Sequence, residues 1–358
     1  VPYLAAAGEL KTKPTQHSVK DLLQQGVQPD IIVCRTEHTL TESVRDKISL
    51  FCNIDRASVI ESIDAPTIYE VPFNMLKEGL DIQVLKKLGI SAKGEPDLEK
   101  WKSFLYKLKN PLTEVNIGLV GKYVELKDAY KSISEAFIHA GAATQCKVKL
   151  KWIHSEKIED NPGMIEEELK GLNGILVAPG FGTRGIEGKI MAVRYARENN
   201  IPFLGICLGM QCAVIEFARN VLGYKDAHSV EMMASTKHPV IDMMEEQKHL
   251  TNMGGTMRLG AYPCKLKAGT KIMEAYQKEL ISERHRHRYE FNNAYLEEFE
   301  KAGMIATGVN PDTNLVEVVE IPSHPYFVGV QYHPEYRSTV EEPSPLFVSF
   351  VEAANKKL

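Results

Sequence analysis

The sequence predicts an α/β chain: a partial doubly wound unit followed by a larger domain on a mostly parallel sheet. Three observations predict it. From residue 30 to residue 206, short apolar β-branched runs alternate with segments of helical periodicity, the pattern of βαβ units around a parallel sheet. The 358 residues give about two domains at roughly 150 residues each. A polar, Lys- and Glu-rich stretch with two prolines, Ser91 to Pro111, separates the two series. The boundaries follow: a first unit over 1–90, a linker over 91–114 and a second domain over 115–358.

In the first unit, Asp30 to Cys34 is a short β-branched run and is predicted as a buried strand. Thr41 to Phe51 is predicted as a helix, with Thr41 as cap and Val44, Ile48 and Phe51 at helical spacing. Ser58 to Ile60 is a second strand, and Val71 to Leu88 carries one long helical pattern. A short helix is expected in the linker around Leu98 to Leu108. The second domain opens with a strand at Val115–Val120, then a helix from Asp128 that ends on Gly141. Strands at Lys147–Ile153, Gly174–Ala178 and Ile201–Ile206 follow, with a helix at Gly188–Asn199 before the last of them. Tyr224 to Thr256 has poor periodicity and many Met residues, the signature of a surface loop or lid. Val316–Ile321 and Tyr326–Gln331 are late strands.

Composition excludes several classes. With 44% hydrophobic and 25% charged residues the chain is globular, not disordered, collagenous or coiled-coil. A net charge of −4 excludes a globally basic nucleic-acid footprint. Six cysteines without a CxxC pair fit no zinc template and point to a reduced, cytoplasmic compartment. No apolar run approaches 18 residues, so no membrane helix is expected. The chain starts on Val1 without an initiator Met or a basic leader, and is expected to be a piece of something larger.

Gly205-Ile206-Cys207-Leu208-Gly209 follows an apolar strand and precedes the helical pattern Met210 to Arg219. A nucleophile at a tight strand-to-helix turn is an elbow arrangement. It sets Cys207 at a helix N-terminus, where the partial positive charge favours thiolate. The competing reading of a lone Cys is a small buried hydrophobe. That reading is kept for Cys212, which lacks the glycine flanks. Tyr332-His333-Pro334-Glu335 follows a late strand. Pro334 disfavours the helical region for His333, and in extended chain His333 and Glu335 project the same way. This is the base and orienter half of a triad, with a strand-end His beside a solvated Glu as the alternative.

Two further patterns bear on function. Gly180-Phe181-Gly182-Thr183-Arg184-Gly185 matches GxGxxG after a strand, so a dinucleotide-binding oxidoreductase is a rival. The next strand ends at Cys207, where a ribose-binding acid is required. The other reading of the loop is an oxyanion hole beside Cys207. Arg284-His285-Arg286-His287-Arg288-Tyr289 alternates strictly. If extended, its three arginines share a face suited to a bidentate clamp on a carboxylate. A metal site at His285 and His287 is not expected, because no third ligand lies nearby in the sequence.

Taken together, Gly205–Gln211, Gly180–Gly185 and His333-Pro334-Glu335 resemble the class I (triad-type) glutamine amidotransferases. Lys11–Gln16, Val120–Tyr123, Gly254–Gly260 and Arg284–Glu290 are similar to runs of the CTP synthase family. The resemblance extends over essentially the whole chain. It implies that Cys207 attacks the glutamine amide, that His333 shuttles protons and that Glu335 orients His333. It implies glutamine-binding roles for Gly180, Leu208, Gly209, Met210, Gln211, Glu231 and Arg288, with Arg288 on the α-carboxylate. It implies that ammonia passes to a synthetase domain, where ATP and Mg²⁺ drive amination of UTP to CTP. Residues 1–90 would then be the C-terminal part of that synthetase domain. Lys11, Thr12, Lys13, Pro14, Thr15, Gln16 and Lys47 would bind the UTP or CTP triphosphate, and Ile63, Asp64 and Ala65 the adenine of ATP. GTP activation, feedback by CTP and a homotetramer are further implications. Ala178-Pro179-Gly180-Phe181 departs from the family's Pro-Gly-Gly-Phe. No GxxxxGK[ST] occurs, and the Mg²⁺-binding acids are missing, so only the glutaminase half-reaction is expected here. Another amidotransferase of the same class is the second alternative.

Overall fold

The apolar runs that begin at residue 113 assemble into one nine-stranded sheet in the computed structural model, which describes residues 1–91, 93–243 and 257–356. The chain divides into two units, Val1–Glu99 and Lys100–Leu358.

In chain order the strands of the large sheet are β1 (Thr113–Gly121), β2 (Cys146–His154), β3 (Gly174–Val177), β4 (Phe203–Ile206) and β5 (Arg258–Leu266). They continue with β6 (Leu280–His287), β7 (Ile305–Val309), β8 (Val316–Glu320) and β9 (Phe327–Val330). Their spatial order is β6-β5-β7-β8-β9-β4-β3-β1-β2. The five strands from β9 to β2 pair in parallel. The four from β8 to β6 extend the sheet with antiparallel pairing. β3, β4 and β9 are buried at every residue, as expected of parallel strands covered on both faces. β6 alternates exposed and buried residues along its length, as an antiparallel strand with one wet face does.

Two apolar cores fill the two faces. Ile175, Val177 and Phe203 point into a core with Ile190 and Val193 of the helix Ile186–Glu198 and with Val214 of the helix Leu208–Asn220. Their strand neighbours Leu176, Leu204 and Val330 point to the opposite core. There they meet Phe137 of the helix Lys131–Thr144 and Phe347 and Phe350 of the helix Pro345–Lys356.

Two expectations are corrected, and the linker helix expected around Leu98 to Leu108 is met. The helix predicted to end on Gly141 runs on to Thr144 and stops at Gln145, at φ 50°. The linker helix forms at Glu99–Lys109 and buries Phe104. In the stretch expected to be a surface loop, His228–Ser229 and Pro239–Met243 join Tyr289–Phe291 in a three-stranded sheet. Strands of two to five residues carry too little periodicity to be read, although Val240 and Ile241 are fully buried. The remainder of that predicted loop, 244–256, lies outside the described residues, as do Gly254 and Gly255 of the family-like run.

The first unit holds a parallel strand pair, Ile32–Thr36 with Val59–Ile63, and an antiparallel ribbon of Tyr3–Leu4 with Glu9–Leu10. Its small core gathers Val19, Cys34, Leu40, Ile48, Cys52 and Val59. The long helix expected over Val71–Leu88 is two helices, Val71–Lys77 and Leu80–Lys87. Gly79, at φ 72°, separates them, a backbone conformation that glycine adopts without steric cost. The helix Lys13–Gln24, with Pro14 in its first turn, was not predicted. Among the described residues no helix is long and apolar enough to cross a membrane.

Candidate active site

Parallel pairing sets the geometry. Val177 of β3 pairs with Gly205 of β4, and Ile206 of β4 pairs with Val330 of β9. The Cys207 N–H then donates to the Val330 carbonyl at 2.7 Å. The C-terminal ends of β3, β4 and β9 therefore carry Gly180, Cys207 and His333 to one edge of the sheet. Such ends are where open α/β sheets form their binding crevices.

Cys207 adopts φ 52°, ψ −104° between β4 and the helix Leu208–Asn220. A non-glycine residue at positive φ is strained and persists because its surroundings hold it there. Here the constraint is visible: a Cβ on Gly205 would lie 2.7 Å from the Gly209 backbone, and one on Gly209 would collide with the Val177 carbonyl oxygen. The elbow needs both glycines for closeness of approach, not for their own φ. The sulfur meets the Arg286 carbonyl at 3.9 Å and accepts from Gln331 Nε2 at 3.6 Å.

His333 lies at φ −113°, ψ 84°, and its backbone N–H donates to the Arg284 carbonyl at 2.8 Å. Extended chain was expected through Glu335. Instead Pro334–Arg337 forms a 3-10 turn, because proline fixes the φ that opens such a turn. The turn still brings Glu335 Oε1 to 2.8 Å from His333 Nδ1. The ring's other nitrogen is left for Cys207, which acts electrostatically on His333. Tyr336 stacks on the imidazole at 5.1 Å. Burial pulls the His333 pKa down, but the hydrogen bonds and charges of Cys207 and Glu335 outweigh it and raise it to about 10.

The loop after β3 packs against the elbow. A Cβ on Gly180 would sit 3.6 Å from Leu208 Cδ2. Lys122 Nζ donates to the carbonyls of Phe181 and Gly182. The Gly182 N–H donates to Glu231 Oε1 at 3.3 Å. With that N–H committed to a carboxylate, the literal GxGxxG match does not offer a pyrophosphate cradle. Gln211 is buried, and its Nε2 donates to the Tyr289 carbonyl at 2.8 Å and to Gln331 Oε1 at 3.3 Å. The Met210 side chain is fully buried. Glu231 and Arg288 both act electrostatically on Tyr289, which puts opposite charges on that side of the cleft. Cys212 is buried in the core, its thiol pushed up to about 12 by burial.

The Arg–His run divides. Arg284 and Arg286 are exposed along β6, and His285 and His287 are buried on its other face. Arg288 falls between β6 and Tyr289–Phe291 and so leaves the predicted shared face. A third potential ligand does lie beside the two histidines: Glu317 of β8 joins them as a buried group of donor atoms. His285 Nδ1 is 3.0 Å from His287 Nε2 and 3.5 Å from Glu317 Oε2. Arg258 Nη1 holds Glu317 Oε1 at 2.6 Å. Burial, with Arg258 adding to it, lowers His285 to about 2 and His287 to about 3. Burial raises Glu317 to about 7 despite Arg258. This nitrogen-rich set does not fit Mg²⁺, which takes oxygen ligands, and no step is derived through that ion.

Two residues escaped the sequence reading, Gln331 and Lys189, and Lys122 entered it only within the run Val120–Tyr123, without a role. Lys189 is wholly buried and donates to the Ala178 carbonyl at 2.7 Å. Its signal was present, since a lysine stands in the apolar stripe of Ile186, Ile190 and Val193. Gln331 gave none, because only the β4–β9 register carries it to the sulfur.

In the first unit, Lys11 and Thr12 lead into the helix that begins at Lys13, and Lys13, Pro14, Thr15 and Gln16 form its first turn. Gln16 Nε2 donates to Thr12 Oγ1 at 3.1 Å. Lys11 pairs with Glu9, on which Lys47 also acts. Ile63 ends its strand, and Asp64 accepts from Arg35 Nε at 3.1 Å. Ala65 follows.

Residues 125–353 match the model of the class-I glutamine amidotransferases, and residues 1–90 match that of the CTP synthase N-terminus. A CTP synthase of Cytophaga hutchinsonii is 67% identical over 356 residues, covering 99% of this chain and 66% of its own length. One from Bacteroides fragilis is 58% identical, covering 100% of this chain and 67% of its own. The chain thus spans about two thirds of the length of these curated relatives. Among solved structures, the Trypanosoma brucei CTPS glutaminase domain with bound acivicin is 40% identical, with a TM-score of 0.64. It covers 68% of this chain and 94% of its own.

Proposed function

Because the chain belongs to the class I glutamine amidotransferases, within the CTP synthase family, we propose that Cys207, His333 and Glu335 hydrolyse glutamine to glutamate and ammonia. The observation that carries this reading is the buried His333–Glu335 pair, 2.8 Å apart, held at the end of the strand that pairs with the one leading to the strained Cys207. The Cys207 thiolate attacks the amide carbon. Leu208, at the helix start, and the Gly180 loop supply backbone N–H groups for the resulting oxyanion. His333 passes a proton to the departing nitrogen, the carbon–nitrogen bond breaks, and a thioester and ammonia remain. His333 then takes a proton from water, whose oxygen replaces sulfur and releases glutamate. Arg288 takes the substrate α-carboxylate and Glu231 its α-ammonium. Gly209, Met210 and Gln211 shape the floor of the cleft.

As in the family, the ammonia would aminate UTP to CTP at the expense of ATP with Mg²⁺, with GTP as activator and CTP as feedback inhibitor. The helix start at Lys11–Gln16, with Lys47, would bind the triphosphate of UTP or CTP, since a helix N-terminus and lysines attract phosphate. Ile63, Asp64 and Ala65 would line the adenine of ATP. A cytoplasmic homotetramer is the assembly proposed for the complete enzyme. The run at Lys11–Gln16 disfavours a stand-alone amidotransferase, which has no use for a triphosphate site.

A glutamine-mimicking diazoketone should label Cys207 alone, in step with loss of glutamate release. Labelling spread over Cys34, Cys52 and Cys146 would overturn the reading. UTP or CTP should protect Lys11 and Lys13 from acylation, and absence of protection would favour another amidotransferase. With ATP, UTP and ammonium, the 358-residue chain is expected to give no CTP.

A further inference from the structure

Lys189 is among the largest wholly enclosed side chains of the molecule. Lysines are almost never fully buried without a charged partner. The partner here is neutral: Nζ donates to the Ala178 carbonyl at 2.7 Å. Ala178 is the first residue beyond β3, two before Gly180. A Cβ on Gly180 would lie 3.7 Å from Lys189 Nζ and 3.6 Å from Leu208, the residue after the thiol. The ammonium is therefore seated against the Gly180 loop, which packs on the side chain of Leu208. The titratable groups that face it are Cys212, Lys122 and Cys207. Cys212 stays neutral, with its thiol at about 12, and Lys122 is itself a cation. Burial lowers the Lys189 pKa to about 8, and while protonated the ammonium can complement the thiolate of Cys207 and then the oxyanion formed above Gly180.

We propose that Lys189 is a positioning residue for the amide-cleaving site: it pins the Ala178 carbonyl so that the Gly180 peptide faces the sulfur, and as an ammonium it supplies a positive charge to the Cys207 thiolate. The proposal rests on the amidohydrolase reading, but one arm of its test does not need glutamine. The pH profile of Cys207 alkylation by iodoacetamide is measured with the full chain, for the wild type, Lys189→Arg, Lys189→Gln and Lys189→Met. Gln retains a donor for Ala178 without the charge; Met retains neither.

Lys189→Gln and Lys189→Met should move the alkylation midpoint to higher pH, and Lys189→Arg should restore it. Glutaminase kcat should fall about 10-fold in Met with KM changed less than about 3-fold, below the loss from removing a direct oxyanion donor. An alkylation profile and kcat unchanged in folded Gln and Met variants would make Lys189 a packing element and overturn the proposal. Loss of folded protein in both would do the same, by assigning the ammonium to folding. A wild type that releases no glutamate, with the alkylation shift intact, would sink the amidohydrolase reading and leave the charge coupling standing.

Discussion

His333 and the pair His285 and His287 are equally enclosed, yet they are driven to opposite protonation behaviour. They are close neighbours, since the His333 backbone N–H donates to the carbonyl of Arg284. At the end of the parallel strands, His333 has a carboxylate on one side and a thiol on the other, and its pKa rises to about 10. On the antiparallel flank, burial and Arg258 bring His285 and His287 down to about 2 and 3, and the Glu317 carboxyl beside them is itself raised to about 7 by burial. Burial pushes all three down. The sign of the neighbouring charge decides which imidazole is readily protonated and which stay neutral. The parallel end of the sheet holds the imidazole proposed to transfer protons, and the flank holds buried polar groups joined to one another.

The largest test removes the thiol. Cys207→Ala should lower glutamate release by roughly 10⁴- to 10⁶-fold with the melting temperature retained. A residual rate near wild type would dissolve the functional side of the contrast. Next, Glu335→Gln should lower kcat by about 10²- to 10⁴-fold and bring the His333 titration, followed by NMR, down from about 10. A folded-state pKa above the unfolded value means that His333 contributes stability that is full below about pH 6.5 and lost as pH rises through about 10. In the Gln variant that loss should begin at the same pH but be complete at lower pH, as read from urea midpoints across pH.

On the flank, Arg258→Met should leave catalytic protonation alone and act on stability. It removes the partner of buried Glu317, and breaking a buried pair costs about 3–5 kcal/mol. An unchanged urea midpoint would show that the ion pair is incidental. The smallest effect is a slope. His285 has a depressed pKa, so its contribution to stability is present above about pH 6.5 and lost on acidification. Glu317, raised to about 7, acts in the opposite sense between its unfolded value and pH 7. His285→Asn should therefore flatten the acid side of the stability curve by about 1.4 kcal/mol per pH unit. Equal slopes in the two proteins would remove the charge asymmetry proposed between the two sites.

The parts legible in the sequence share a local cause. The elbow could be read because Gly205 and Gly209 bracket one cysteine at a period change from strand to helix. His333 and Glu335 could be paired because they are two residues apart, although the turn at Pro334 differs from the extended chain expected. What escaped depends on contacts distant in the chain. Glu317 is 30 residues from His287 and meets it only through the β8-β7-β5-β6 pairing. Gln331 and Lys189 reach the elbow from separate strands and helices. The Val71–Leu88 pattern hid a break because one glycine costs an otherwise periodic helix little of its signal.

The β4–β9 register also has a consequence for synthesis on the ribosome. The cysteine emerges 126 residues before its histidine (333 − 207). Until Phe327–Val330 slots between β4 and β8, the nascent chain carries a thiol without a base. On the proposed chemistry, competence arrives with one of the last strands to be made, and an unfinished polypeptide would consume no glutamine.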